Sequence, residues 1–180
     1  KLFDADANKN DYYHIKATFY SALGEDEQQQ RLARAIQMFM PGVPQGWYLD
    51  LFAGTNDYAA AKRGRTAGHK EINRTTLKLI DIDTGLERPI VLDQLELIRL
   101  RNTSPAFKGE MKVIETESEL LHITWQHPEA TATLKANLRD HSFTVSQDKG
   151  AGEEVLMTFA PQDLMATIIN LDGNHYEVPA

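Results

Sequence analysis

Residues 41–54 read PGVPQGWYLDLFAG. Between the Pro-Gly and the Ala-Gly lies VPQGWYLDLF, a short, aromatic-rich run whose one charge is Asp50. A run of that kind predicts a buried strand. It follows EDEQQQRLARAIQMFM (25–40), which has acids in its first turn and Leu32, Ile36, Phe39 and Met40 at helical spacing. Pro41 and Gly42 stop that helix. A helix followed by a buried strand is the αβ half of an α/β repeat, with a parallel sheet implied. One strand and two helices cannot make a doubly covered parallel sheet. The strand therefore needs neighbours that these residues do not supply.

Outward from this point the pattern changes twice. From Ala53 to about Glu87 periodicity dissolves among glycines, asparagines and aspartates, and a connection this long points to a functional loop or to disorder. RPIVLDQLELIRLRNTSP (88–105) restores the helical period, with Val91, Leu95 and Ile98 on one stripe and Pro89 in the first turn. Past residue 107 the period becomes two. ELLHITWQ, ATATLKANL, SFTVSQ, VLMTF and ATIINLDGNHYEV all alternate, and Asp172-Gly173 marks a hairpin turn. Five or six such strands make an antiparallel sheet with one wet face. The expected organisation is α/β over 1–107 and antiparallel β over 108–180.

Composition bounds the function. The 180 residues are 42% apolar and 25% charged, ordinary values for a folded domain or two. No apolar run reaches the roughly 18–20 residues of a membrane helix, so no membrane partner is expected. A net charge of −7 argues against a nucleic-acid partner. The chain has no cysteine, which removes disulfides and Cys-based metal sites and fits a reducing compartment; a cytoplasmic location is expected. It opens on KLFDADANKNDYY, a polar segment with neither a start methionine nor a signal-peptide pattern, and reads as a piece of something larger.

No phosphate-binding glycine loop, His-Glu-x-x-His or Gly-x-Ser-x-Gly is present, and the six histidines lack metal-ligand spacing. No metal and no cofactor are expected. His122 falls on the polar side of a strand, where a solvated role is the plainer reading. Two polar stretches stand out: NDYYHIK (10–16) and AGHKEINRTT (67–76). If the strand near 43–51 belongs to a (β/α) barrel, both lie on the face where active sites are built.

Over residues 11–107 the chain resembles the sucrose phosphorylases, glucoside phosphorylases of the α-amylase clan (glycoside hydrolase family 13). The resemblance is carried by Tyr20–Gly24 (YSALG), Ala33–Phe39 (ARAIQMF), Pro41–Gln45 (PGVPQ), Ala53–Asp57 (AGTND) and Ile72–Arg74 (INR). LIRLRNTSPAF (97–107) fits the helix that follows. It implies that residues 1–107 are the last part of a (β/α)8 barrel, with helix 7, strand 8 and helix 8, and that 108–180 are a C-terminal antiparallel β domain. Arg74 then matches an arginine that hydrogen-bonds the glucosyl ring, Tyr13 a loop tyrosine that helps to hold phosphate, and Asp11 a loop aspartate on the fructosyl part. His14 stands where the family has a glutamine near fructose, and Lys16 where it often has asparagine. Two cations beside the acceptor point to an anionic acceptor.

The resemblance implies a retaining transfer of glucose from an α-glucoside to phosphate, giving α-glucose 1-phosphate. The partners implied are the α-glucoside, inorganic phosphate and the missing N-terminal portion of the barrel. No motif for the carboxylates of such chemistry is present, so no catalytic residue is assigned and the isolated chain is expected to be inert. Two alternatives stand beside this reading: a non-catalytic, β-rich binding or structural module, and a hydrolase or transglucosidase of the same clan.

Overall fold

The computed structural model describes residues 16–161 and the short strands 167–169 and 175–177. The chain divides into two compact units, Lys1–Ser104 and Pro105–Ala180.

The first unit is helical. Its elements are α1 (Phe19–Ala22), α2 (Glu27–Phe39), α3 (Tyr48–Leu51), α4 (Tyr58–Arg63), a 3-10 turn (Arg65–Lys70), α5 (Leu79–Gly85) and α6 (Pro89–Thr103). The Asp26 side chain accepts from Gln29 N at 2.8 Å and starts α2, and Pro89 occupies the first turn of α6. These two long helices pack on each other and bury Leu32, Ala35, Met38 and Phe39 with Ile90, Val91, Leu97 and Leu100. The stripes are not those the apolar letters alone predict. Gln30, Arg34 and Gln94 are buried in them, whereas Met40 is exposed and Ile36, Leu95 and Ile98 are only partly covered.

Residues 43–47 depart from expectation. Trp47 has the extended backbone of a strand (φ −86°, ψ 142°), yet no ladder forms, and Tyr48 turns directly into α3. Val43 is 96% exposed. A strand exists only with a hydrogen-bonding neighbour, and no described segment of this unit pairs with these residues. The aperiodic stretch 53–87 is also more ordered than its letters imply, since it contains α4, the 3-10 turn and α5. α3 closes through Ala53 in the left-handed region (φ 48°), whose methyl is buried against Ile90 and Val91.

The second unit is an antiparallel sheet in strand order β1-β2-β3-β4-β5: β1 (Glu110–Ile114), β2 (Leu120–His127), β3 (Ala130–Asn137), β4 (Phe143–Asp148) and β5 (Glu153–Phe159). A separate pair joins β6 (Thr167–Ile169) to β7 (His175–Glu177). The hairpin turn predicted at Asp172-Gly173 lies outside the described residues. β1 was not legible in the sequence because it is an exposed edge strand bearing Glu110 and Lys112, charges that protect an edge.

Register explains the alternation. Val113, Ile123, Leu134, Val145 and Met157 stand opposite one another in one row across all five strands. In β3 the expected face is buried at Ala130, Ala132, Leu134 and Ala136. The 3-10 turn Pro105–Lys108 covers one end, where the Phe107 and Trp125 rings lie 5.7 Å apart. Gly109 lets that turn approach the sheet, for a Cβ there would lie 1.8 Å from Gln126 O. Leu134→Ala should cost about 2–5 kcal/mol in urea denaturation. Lys135→Ala, one residue on and exposed, should stay within about 0.5 kcal/mol.

Candidate functional site

Arg74 follows the 3-10 turn and the fully buried Ile72, which anchors this loop. Four backbone groups around it are engaged. Ile72 O accepts from Asp57 N at 2.8 Å, and Arg74 N donates to Glu71 O at 3.2 Å. Asn73 O accepts from Trp47 Nε1 at 2.9 Å, and Thr75 O accepts from Tyr48 Oη at 2.7 Å. The side chain is 54% exposed, and its guanidinium meets the Glu71 carboxylate only at 4.0 Å. A fixed backbone carrying an exposed, loosely engaged cation suits a group that awaits a ligand.

The same loop is joined to the root of the N-terminal segment. Asn73 Nδ2 donates to Ala17 O at 3.4 Å. Thr18 N donates to Asn56 Oδ1 at 2.7 Å, and Phe19 N donates to Asp50 Oδ1 at 2.8 Å. Asn56 N in turn donates to Ser21 Oγ at 3.0 Å. The structure thus brings Ala17 against Asn73, the residue beside Arg74. Lys16 is partly buried at that root. Asp11, Tyr13 and His14 lie outside the described residues.

Sequence reasoning missed Trp47, Tyr48, Asn56 and Asn73 as the residues that build this arrangement. The letters of AGTND and INR already held a signal, since Asn and Asp bond readily to nearby backbone in turns. Trp47 and Tyr48 gave none, because a strand reading assigns aromatics to packing.

Behind this loop sits a polar network. Gln30 Nε2 donates to Asp50 O at 2.5 Å, and Gln94 Nε2 donates to Leu51 O at 2.8 Å. Arg34 Nε donates to Gln94 Oε1 at 2.9 Å, and its Nη1 donates to Gln37 Oε1. Burial pulls the Arg34 pKa down, and the Asp50 charge opposes that pull. Arg34 also lines an apolar cleft of about 280 Å³ with Val43, Trp47, Tyr48 and Arg101. Its Nε and Nη1 are engaged within the protein and its side chain is buried, which suits a structural role. On the sheet unit, His122, Thr133, Lys135, Ser146 and Glu153 line a polar cleft of about 270 Å³. Burial and Lys135 both lower the pKa of His122, and Glu153 raises it.

No family model matches the chain. It is 54% identical over 155 residues, 86% of its length, to a sucrose 6(F)-phosphate phosphorylase of Ilumatobacter coccineus. It is 36% identical over 142 residues, 79% of its length, to a sucrose phosphorylase of Agrobacterium vitis. The crystal structure of sucrose 6F-phosphate phosphorylase from Thermoanaerobacter thermosaccharolyticum superimposes with a TM-score of 0.75 at 33% identity over 80% of the chain. The chain belongs to the sucrose phosphorylase family. It spans about 30% of the length of these relatives, in their C-terminal part. Among the described residues, no helix is long and apolar enough to cross a membrane.

Asp50 offers a check on the scaffold of this site. Burial raises its carboxyl pKa, against the hydrogen bond from Phe19 N and the charge of Arg34, which lower it. Between the unfolded and folded values, the folded state therefore holds more proton than the unfolded one. The stability supplied by this group falls as pH rises through that window. Asp50→Asn keeps an acceptor for Phe19 N but removes the titration. The stability of the parent minus that of the variant should decline as pH rises through and above the usual aspartate range, measured by urea denaturation at each pH.

Proposed function

We propose that this chain is the C-terminal part of a phosphorylase that acts on an anionic α-glucoside, sucrose 6(F)-phosphate. Glucose passes to inorganic phosphate with retention, and the products are α-glucose 1-phosphate and fructose 6-phosphate. The observation that carries the substrate is the 54% identity to a protein named for that activity. His14 and Lys16 support it, because they place two potential cations on the segment read as facing the acceptor.

In this reading Arg74 contacts the hydroxyls of the glucosyl ring, for which its planar fork of donors is suited. Asp11 contacts the acceptor sugar, Tyr13 the phosphate that captures the glucosyl group, and His14 the phosphate of the acceptor. The hydrogen bonds at Ala17, Thr18 and Phe19 fix the residues that follow that segment in the chain. Retention needs a carboxylate nucleophile and an acid/base carboxyl group about 5–5.5 Å apart. Both come from the N-terminal portion of the protein, and the 180-residue chain alone turns nothing over.

The full-length protein should be offered α-glucose 1-phosphate with fructose, fructose 6-phosphate or glycerate, and phosphate release followed. Fructose 6-phosphate should exceed fructose in kcat/KM by about 10- to 150-fold, the worth of one charged hydrogen bond. His14→Gln should shrink that ratio. Arg74→Ala should lower kcat/KM about 10-fold or more with every acceptor, because it acts on the glucosyl side. A preference for fructose would make the protein a sucrose phosphorylase and remove the role of His14 and Lys16. Glucose release without phosphate would move it to the hydrolases of the clan.

A further inference from the structure

We propose that Trp47 and Tyr48 are positioning residues for Arg74. They limit the reach of its guanidinium by gripping the carbonyls of the residues before and after it, Asn73 and Thr75. The inference rests on the reading of Arg74 as a glucosyl contact and deepens it.

Two consecutive residues, the N-cap of α3 and its first residue, send their side-chain donors to two carbonyls that bracket one residue. Trp47 Nε1 holds Asn73 O at 2.9 Å and Tyr48 Oη holds Thr75 O at 2.7 Å. Their rings brace each other, with centroids 5.1 Å apart and planes at 47°. If these aromatics served only as core, they would be buried. They are instead 47% and 41% exposed, while the neighbouring Leu49 is 2% exposed and carries the packing. What they contribute specifically is the polar tip of each ring.

The geometry limits what Arg74 can do. With the carbonyls of residues 72, 73 and 75 engaged, turning the Asn73–Arg74 peptide breaks the Trp47 bond, and displacing the chain past Thr75 breaks the Tyr48 bond. The guanidinium then explores a smaller range than it would on an untethered loop. Donors held in place before the ligand arrives lose less freedom on binding, which is the advantage of a preorganised site. Trp47 and Tyr48 touch no reacting atom and act through Arg74.

A double-mutant cycle on the full-length protein tests this, with Tyr48→Phe and Trp47→Phe as variants that keep the ring and remove the donor. Turnover of α-glucose 1-phosphate with fructose 6-phosphate is the readout, with kcat and KM separated. Each variant should lower kcat/KM about 3- to 10-fold when Arg74 is present, the worth of one neutral hydrogen bond. The same substitutions in an Arg74→Ala background should change it less than about 2-fold, because the group they position is gone. Equal losses in both backgrounds would overturn the proposal, as would no loss when Arg74→Ala itself is costly. An Arg74→Ala variant with unchanged kinetics would overturn the reading of Arg74, and this proposal with it.

Discussion

Two buried carboxamides, on Gln30 and Gln94, hold the carbonyls of Asp50 and Leu51, and the geometry of the helical unit depends on that grip. These carbonyls belong to the last turn of α3, where Asp50 O also accepts from Ala53 N at 3.2 Å. Gln94 serves twice, since its oxygen also takes the buried guanidinium of Arg34. Losing one partner would leave a desolvated charge or amide behind, at a cost on the order of 1–3 kcal/mol or more. α2 and α6 are therefore joined by a polar clasp within an apolar interface, and that clasp grips residues 47–51.

Everything proposed about the site extends from those five residues. Inward, α3 is fastened by the two glutamines and by Leu49. Outward, Trp47 and Tyr48 fasten the loop of Arg74, and the Asp50 carboxylate fastens Phe19 at the root of the N-terminal segment. Asn56 and Asn73 close the remaining gap by holding Thr18 and Ala17. The same hydrogen bonds thus hold both Ala17–Phe19 and the base of Arg74.

Much of this fold could be read from the letters, and the exceptions share one cause. The alternating strands are legible because Ala132, Leu134 and Ala136 face inward while Lys135 faces out, a pattern that a half-buried sheet imposes. The two long helices are legible from their caps and apolar spacing. What hides is polarity used structurally. Gln30, Arg34 and Gln94 read as surface residues, and only their partners reveal them as core. Residues 43–47 mislead in the opposite way: their apolar letters suit a strand, but a strand also requires a neighbour, and no described segment of the unit provides one. Arg74 was singled out as a candidate only through the motif in which it sits. Its supports, Trp47 and Tyr48, were not, because a hydrogen bond over more than 25 residues leaves no local pattern.

The most direct test of the central claim is a crystal structure of the full-length protein with α-glucose 1-phosphate bound. The account predicts the Arg74 guanidinium within about 3 Å of a glucosyl hydroxyl, the distance of a charged hydrogen bond, with Asn73 O and Thr75 O still held by Trp47 and Tyr48. A guanidinium turned away toward Glu71, with the sugar bound elsewhere, would contradict it.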